Sequence, residues 1–176
     1  AIRLLANRAG VQMPDEGYND EATKIKNAVL EINRESAMFF HNCLMSNMGE
    51  NARQYLLGRG LTIATIRHFG LGYAPESWDA LLNHLKSKGF KENMIYSADM
   101  IGKGKSGRPY DRFRNRVMYP IINLRGNVIG FSGRAMPGDE KNAKYINTGD
   151  TLVFKKSNNM YALNFAKSVC SEKVIL

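Results

Sequence analysis

The sequence predicts an α+β fold in which a helical N-terminal arm is followed by a mixed α/β subdomain with a small antiparallel sheet. Two patterns predict it. Apolar residues recur at helical spacing between Ile25 and Leu44, and a strand, turn and strand pattern occupies residues 116–134. Hydrophobic residues make up 44% of the chain and charged residues 23%, which are ordinary values for a globular protein. We assign residues 1–50 to a linker and helical arm, and residues 51–176 to the subdomain.

The arm is predicted to contain two helices. A helix at residues 1–9 precedes residues 11–19, which are predicted as a linker because they contain Pro, Gly and acidic residues. The long second helix is predicted at residues 20–47, with Asn19 or Asp20 as its N-cap, since either side chain can accept a bond from a free backbone amide.

Short elements separated by Gly and Pro are predicted after the arm. They are, in order, a helix at residues 50–57, a helix at residues 62–69 capped by Thr62, a strand at residues 71–74, a helix from its cap Ser77 through Leu85, and a short helix at residues 91–98. The hydroxyls of Thr62 and Ser77 are suitable caps because they accept hydrogen bonds from amides at a helix start.

The central feature is a β-hairpin with strands at residues 116–123 and 128–134. Pro120 predicts that the first strand is an edge strand or carries a bulge, because proline cannot donate a ladder hydrogen bond. Gly130 and Gly133 predict that another backbone or a ligand approaches the second strand closely. Beyond the hairpin we expect, in order, short strands near Tyr145 and Tyr161, a helix at residues 163–168 and the start of a buried strand at residues 174–176.

Net charge is the most informative bulk property of the chain. The formal net charge is +9, and residues 51–176 hold 20 of the 25 basic side chains but 9 of the 16 acidic ones. An excess of this size indicates a polyanionic partner, most often nucleic acid. No apolar run approaches the roughly 20 residues of a membrane span, so no membrane association is predicted.

Spacing excludes several kinds of site. Cys43 and Cys170 do not form a disulfide framework or a zinc ribbon, and His41 beside Cys43 does not complete a metal site. The sequence has neither a Walker A motif nor an acidic cluster suited to the metal ions of phosphoryl transfer. The chain by itself is therefore predicted to bind rather than to catalyse.

The segment at residues 103–116 is the first candidate site, with six cations and one acid. Three of its cations alternate along a strand-like stretch: Arg112, Arg114 and Arg116. Alternation predicts side chains on one face at roughly 6.8 Å intervals, close to the phosphate repeat of an extended nucleic-acid strand. Tyr110 and Phe113 are predicted to stack on bases. The alternative is an exposed sheet edge guarded by charges.

A second candidate site combines Lys144, Tyr145 and Asn147 with the later Lys156. A lysine beside a tyrosine and an amide can hold a phosphate, a base face and a base edge. The alternative is a polar loop in which Tyr145 packs into the core. Arg59, between two predicted helices, is an anion-binding candidate, although sequence alone favours a role in capping the preceding helix.

Five motifs occur in a recognisable order. They are Arg59-Gly-Leu, Phe69-Gly-Leu-Gly-Tyr-Ala-Pro75, Tyr110-Asp-Arg-Phe-Arg-Asn-Arg-Val-Met-Tyr-Pro120, Gly126-Asn-Val-Ile-Gly-Phe-Ser-Gly-Arg134 and Lys144-Tyr-Ile-Asn147. With these motifs the chain resembles the bacterial replicative DNA primases of the DnaG type over nearly its whole length. The resemblance implies the N-terminal subdomain of a primase RNA polymerase core, cut before the Toprim subdomain. The apolar patterns in which the chain begins and ends agree with a fragment.

The resemblance assigns roles to eight residues. In the family a basic ridge tracks single-stranded DNA template, and the matching nucleic-acid-binding positions are Arg59, Arg112, Arg114, Lys144, Tyr145, Asn147 and Lys156. The positions that match nucleotide-phosphate contacts are Arg59, Arg134 and Lys144.

The resemblance also implies the activity and partners of the parent protein, a cytoplasmic nucleotidyltransferase that makes RNA primers for DNA replication. In the family, Mg or Mn is held by Toprim carboxylates, expected beyond Leu176. Zinc is held by a preceding zinc-binding domain, and the replicative helicase is contacted through a C-terminal domain. For this fragment the implied partners are single-stranded DNA template and ribonucleoside triphosphates. The fragment is expected to be a monomer without cofactor, catalytic residue or activity of its own.

Two alternatives remain open at this point. One is the primase portion of a phage-type or organellar primase-helicase, which shares the same core logic. The other is a non-catalytic protein-interaction scaffold whose basic face contacts an acidic partner. The scaffold predicts negligible affinity for single-stranded DNA at moderate salt.

Overall fold

The computed structural model describes residues 17–139 and 142–169, and it confirms the α+β fold class. A long helix leads into a small antiparallel sheet that shorter helices flank. The helix predicted at residues 1–9 and the strand predicted at residues 174–176 lie outside the described residues. Among the helices that the structure describes, none combines the length and apolarity needed to cross a bilayer.

The helices follow the predicted order closely. They are α1 (Gly17–Met45), α2 (Glu50–Gly58), α3 (Ile63–His68), α4 (Ala80–Ser87), α5 (Glu92–Ser97) and α6 (Leu163–Val169). Thr62 caps α3 as predicted, since its hydroxyl oxygen accepts a hydrogen bond from the Thr65 amide at 3.1 Å.

The start of α1 differs from the prediction. The helix already includes residues 17–19, so the linker prediction is wrong there, and neither Asn19 nor Asp20 is its N-cap.

The strands form a four-stranded antiparallel sheet and a separate two-stranded ribbon. The sheet has the order β1 (Gly72–Ala74), β4 (Arg116–Ile122), β5 (Val128–Ala135), β6 (Tyr145–Asn147), and the ribbon pairs β2 (Ile101–Lys103) with β3 (Pro109–Asp111). The predicted hairpin and the strand at Tyr145 are confirmed. The strand predicted near Tyr161 is wrong, because Tyr161 lies in a turn before α6.

The sheet is packed on both faces, but unequally. One face packs against α1, where the rings of Phe40 and Phe131 meet edge to face with centroids 5.5 Å apart. The other face is covered at one end by α2 and α3, whose Leu56 and Ile66 form a buried cluster with Val117 of β4. The helices α2 and α3 leave the β6 end of this second face open for the candidate site.

Pro120 sits in the middle of the sheet rather than on an edge strand, because β4 pairs with both β1 and β5. Strand β1 reaches only as far as Met118, however, so no sheet partner is paired with Pro120 on that side. The register also shifts between Ile121 and Ile122. The edge prediction is therefore wrong. The prediction that β4 carries a bulge is wrong as well, because Ile121 and Ile122 pair with Gly130 and Val128, so the extra residue lies on β5.

The close approach predicted at two glycines of β5 is made by side chains of the protein itself. A Cβ on Gly133 would lie 2.8 Å from the Phe113 ring, and one on Gly130 would lie 3.2 Å from the Cβ of Thr148. The prediction of a backbone or a ligand at these positions is therefore wrong, because side chains of the protein occupy the space.

The helix α4 is capped from a distant part of the chain. Ser77 was the predicted cap, but the carboxylate of Asp111 accepts hydrogen bonds from the amides of Leu81, at 2.7 Å, and Leu82, at 2.9 Å. A carboxylate on these amides satisfies free donors and complements the helix dipole. The sequence prediction failed because Asp111 is brought here by the β2–β3 ribbon, which was not predicted.

Candidate nucleic-acid interface

The open sheet face carries most of the predicted site residues. Tyr119 pairs with Ser132, Ser132 pairs with Asn147, and Arg134 pairs with Tyr145, so these side chains share one face. A cavity of about 370 Å³ opens on this face, lined by Tyr119, Ile121, Ser132, Tyr145, Asn147, Phe154, Lys156, Asn159 and Tyr161. The structure therefore brings Tyr145, Asn147 and Lys156 together, as the second candidate site predicted.

Arg134 is held against two aromatic rings. Its guanidinium carbon lies 4.8 Å from the ring centre of Tyr55 and 5.9 Å from that of Tyr145. A guanidinium over aromatic faces is attracted by the ring quadrupoles and keeps a defined orientation. Its Nη1 is buried without a hydrogen-bond partner within the described residues. Arg134 thus presents positive charge at the edge of the open face.

Tyr145 is exposed over 52% of its surface, so the alternative in which it packs into the core is wrong. An exposed ring beside Arg134 and above a cavity is available to stack on a planar group. Lys144 precedes it and is exposed, with its carbonyl accepting the Ala135 amide at 2.9 Å.

Arg59 lies next to the same face and also takes part in a cap. Its amide donates to the Leu56 carbonyl at 3.1 Å at the end of α2, so the capping interpretation is confirmed for its backbone. The side chain is exposed. Burial raises the pKa of the Tyr119 hydroxyl, with smaller contributions from Tyr145 and Tyr161, and the positive charge of Arg59 opposes this rise. Arg59 is therefore within electrostatic reach of the open face.

The three alternating arginines do not share a strand, because Arg116 begins β4 whereas Arg112 and Arg114 precede it, and they do not form a row. Residues 112–115 are an irregular connection between β3 and β4. Arg116 is only 5% exposed, and its Nη1 donates to the carbonyls of Gly133 at 3.2 Å and Ala143 at 2.9 Å. Its role is structural, because a buried guanidinium must be satisfied by protein acceptors.

Arg112 and Arg114 have partners of their own. Arg112 forms an ion pair with Asp99 and donates from Nη2 to the Asn147 carbonyl at 3.2 Å. Arg114 donates to the Asp111 carbonyl, and its guanidinium carbon lies 4.0 Å from the ring centre of Trp78. The predicted row of free arginines is wrong, since the chain itself occupies these donors.

The same arginines nevertheless line one cavity of about 620 Å³. Its lining residues are Glu76, Ser77, Trp78, Tyr110, Arg112, Arg114, Asn115, Arg116, Asp139, Asn142, Ala143 and Ile146. Tyr110 lines this cavity, and its ring meets that of Trp78 edge to face with centroids 5.9 Å apart. Phe113 is 1% exposed and belongs to the core, so the prediction that it stacks on bases is wrong.

Trp78 was missed as a functional candidate. It is 66% exposed and lies before α4, although the predicted helix from Ser77 through Leu85 included it. An exposed tryptophan stacked on an arginine is unusual for a surface residue without a role in binding. The available signal was its position beside Pro75 and Ser77, which are turn residues.

The strand β6 lies between the two cavities. Tyr145 and Asn147 line the cavity on the open sheet face, whereas Ile146 lines the cavity of Trp78 and Arg114. Among the described residues, no group of three or more His, Cys, Asp or Glu side chains could hold a metal ion. The donor set in this part of the chain therefore does not fit the metal site of a polymerase.

An antiparallel sheet that exposes aromatic rings among arginine, lysine and asparagine side chains is typical of basic α+β domains that bind nucleic acid. The chain belongs to the family described as the DNA primase catalytic core, N-terminal domain, which matches residues 39–167.

Relatives of known name agree with this family. The DNA primase of Clostridium acetobutylicum is 39% identical over 168 residues, and that of Deinococcus radiodurans is 40% identical over 169 residues. These matches cover 94% and 96% of the chain but 27% and 28% of the two relatives. The chain thus spans about a quarter of the length of the curated relatives that it matches.

Solved structures share the fold. The RNA polymerase domain of Mycobacterium tuberculosis primase DnaG, in complex with a double-stranded DNA oligomer with a 6-nucleotide overhang, matches with a TM-score of 0.75 and 39% identity, over 80% of this chain and 44% of that one. A DnaG primase catalytic domain bound to single-stranded DNA matches with a TM-score of 0.76 and 34% identity, over 86% of this chain and 46% of that one.

Proposed function

We propose that this chain is the template-binding and nucleotide-binding part of a DNA primase, a DNA-directed RNA polymerase that makes primers for replication. The observation that carries the proposal is the grouping of Tyr145, Asn147 and Lys156 at one open cavity beside Arg59 and Arg134. The relatives named DNA primase, and the similar catalytic domain bound to single-stranded DNA, support it.

Each side chain has a role that matches its chemistry. Tyr145 stacks on a base, Asn147 bonds a base edge, and Lys156 holds a backbone phosphate. Arg59, Arg134 and Lys144 supply positive charge for the phosphates of a ribonucleoside triphosphate, with Arg59 and Lys144 also serving the template. Arg134 suits a phosphate because two tyrosine rings fix the direction of its guanidinium.

The cavity on the other side of β6 offers a second contact for the same strand. Trp78 is a large exposed ring held against the guanidinium of Arg114, which combines a stacking surface with a positive charge. Arg112 lines this cavity as well. Residues 51–139 and 142–169 would then act as one basic subdomain of the polymerase core, with the arm ahead of it.

The remaining chemistry belongs to other parts of the proposed protein. Primer synthesis is phosphoryl transfer, in which metal ions neutralise developing charge while the protein positions the reactants. We place the Mg or Mn ligands in a Toprim subdomain, and zinc in a separate zinc-binding domain. A replicative helicase would bind a further domain of the same protein, and together they would form a cytoplasmic primosome. This chain would act as a monomer and supply the basic, aromatic binding surface.

Fluorescence anisotropy with a labelled single-stranded oligonucleotide tests the proposal. Tyr145→Ala is expected to weaken binding by about 5-fold or more, because stacking contributes about 1–3 kcal/mol per base. Lys156→Ala is expected to lower the slope of log K against log salt by about 0.7, which is the loss of one neutralised phosphate.

The matched control is Arg125→Ala, which removes one exposed cation at the turn between β4 and β5 that lines neither of the two cavities. It should leave both the affinity and the salt slope close to those of the wild type. Binding that does not respond to salt, or that Arg125→Ala weakens as much as Lys156→Ala, would contradict the proposal and favour the protein-interaction scaffold.

A further inference from the structure

The carboxylate of Asp99 joins two segments that are distant in sequence. It forms an ion pair with Arg112, and its Oδ2 accepts a hydrogen bond from the Gly149 amide at 2.6 Å. Arg112 closes the network by donating from Nη2 to the Asn147 carbonyl at 3.2 Å. Asp99 follows α5, Arg112 follows β3, and residues 147–149 lie at the end of β6.

The backbone at this point is adapted to the network. Asp99 has a φ of 58°, in the left-handed region that asparagine and aspartate tolerate better than other side chains. A Cβ on Gly149 would lie 3.3 Å from Asp99 Oδ2, so glycine gives the carboxylate room to reach the amide. A strained residue beside a close backbone contact indicates a conformation that the surroundings hold in place.

The strand that this network supports is weak by itself. Strand β6 has three residues and pairs only with β5 within the described residues. On the side that faces β5, the hydroxyl of Thr148 accepts a hydrogen bond from the Phe131 amide at 2.8 Å. The amide of Thr148 donates a hydrogen bond to the Phe131 carbonyl at 2.9 Å. The bonds from Arg112 and Asp99 secure the side that β5 does not reach.

We propose that Asp99 and Arg112 are positioning residues that fix β6, and with it Asn147, at the single-strand-binding face. Arg112 acts on nucleic acid through the Asn147 backbone rather than as a free cation. The proposal deepens the proposed function and rests on it. It assigns a function to Asp99, which no sequence motif singled out.

A long-range electrostatic effect and a positioning role predict opposite changes in binding affinity when Asp99 is replaced. Removing an acid beside a surface that binds a polyanion strengthens binding through long-range attraction, and it also frees Arg112. If Asp99 positions β6, its removal weakens binding instead. The sign of the change therefore separates the two explanations.

The experiment compares Asp99→Asn with Asp79→Asn in the complete 176-residue chain, with binding to a labelled single strand read by anisotropy. Both variants remove one negative charge, and Asp79 is an exposed residue that lines neither cavity. Asparagine tolerates the left-handed backbone at position 99, so the change adds little strain. Asp99→Asn should weaken binding about 5- to 10-fold, the usual effect of losing charge-assisted hydrogen bonds. Asp79→Asn should leave affinity unchanged or raise it.

A second pair of variants tests the geometry. Arg112→Lys keeps the charge but lacks the fork that reaches Asp99 and the Asn147 carbonyl together, so it should weaken binding nearly as much as Arg112→Ala. In the Asp99→Asn background, Asn147→Ala should weaken binding little further. Trp78→Ala should weaken binding there by the same factor as in the wild type. Full affinity in Arg112→Lys, or additive losses for Asp99 and Asn147, would contradict the proposal.

The outcomes also separate this proposal from the one on which it rests. A wild-type chain that does not bind single strands overturns both. A wild-type chain that binds, with Asp99→Asn binding equally or more tightly, overturns the positioning role alone. If Asp99→Asn fails to fold by circular dichroism, Arg112→Lys and Asp99→Gly decide the question, since glycine accepts the same backbone conformation.

Discussion

At the scale of single residues, Asp111 shows how a buried carboxylate links two elements. It is 3% exposed and accepts two amide hydrogen bonds at the start of α4 from its place on β3. The pKa of this carboxyl is raised from 3.8 to about 6, chiefly by burial and also by Asp79, although the two hydrogen bonds and Arg114 oppose the rise. Burial therefore disfavours the charged form of Asp111 more than its hydrogen bonds and Arg114 favour it.

The raised pKa gives a prediction with a defined sign. Between about pH 4 and pH 6 the folded state binds this proton more readily than the unfolded state, so the stabilisation is lost as pH rises. Asp111→Asn removes the titration. The free energy of unfolding of the wild type, relative to this variant, should fall by about 3 kcal/mol between about pH 4 and pH 7. Urea denaturation of both proteins measures the difference, and a constant or rising difference would contradict the assignment.

Arginine roles could be predicted from the sequence only in part. Arg112, Arg114 and Arg116 look equivalent in a pattern of alternating charges, but the structure gives them three environments. The partners that decide these roles, Asp99 and Asn147 for Arg112 among them, are distant in the chain. Periodicity reports which side chains share a face of a regular strand, and it has no information about an irregular connection.

At the scale of elements, the sequence predicted correctly those helices and strands that interactions between neighbouring residues determine. The helices α1 to α5 and the hairpin of β4 and β5 follow from apolar spacing, the Thr62 cap and turn glycines. The ribbon of β2 and β3 and the cap of α4 were missed. The segments Ile-Gly-Lys of β2 and Pro-Tyr-Asp of β3 contain glycine, proline and charged residues, which are rare in strands. A cap supplied from another element has no local signal.

Helix α1 and strand β1 approach each other closely at Gly72, and this contact gives a prediction about stability. A Cβ on Gly72 would lie 2.5 Å from the Cβ of Phe40 and 2.7 Å from its carbonyl carbon. Helix backbone cannot yield as a flexible side chain can, so Gly72→Ala should destabilise the fold by about 3 kcal/mol.

The control for this substitution is Gly58→Ala at the end of α2, where a Cβ would meet nothing within 4 Å. Alanine is the better helix former, so the control should be neutral or stabilise by up to about 1 kcal/mol. Thermal and urea unfolding measure both variants. Equal effects for the two glycines would show that α1 does not pack on β1 at this distance.

At the scale of the whole molecule, the excess of positive charge and the family were the most reliable sequence signals. The candidate face could be predicted from Tyr145, Asn147 and Lys156, which the structure gathers at one cavity. That Trp78 and Arg114 form a second cavity across β6 could not be predicted, since it depends on how residues 75–79 pass beside the irregular connection after β3.

The two cavities lead to a prediction about strand length. A single strand that contacts both Tyr145 and Trp78 must cross the edge of the sheet at β6, because these rings line cavities separated by that strand. An oligonucleotide of about 4 nucleotides is short for such a path, whereas one of about 12 can span it, in keeping with the range of single-strand site sizes. Affinity should therefore rise steeply with length over this range.

The variants at the two rings give the decisive measurement. With the long oligonucleotide, Tyr145→Ala and Trp78→Ala should each weaken binding, and their effects should add, because the rings do not contact each other. With the short one, which occupies a single cavity at a time, either variant alone should cost no more than about 2-fold, since the other cavity remains available. Anisotropy titrations at fixed salt compare the wild type, the two single variants and the double variant with each of the two strands. If one ring accounts for the whole loss at both lengths, the strand uses one cavity and does not cross β6.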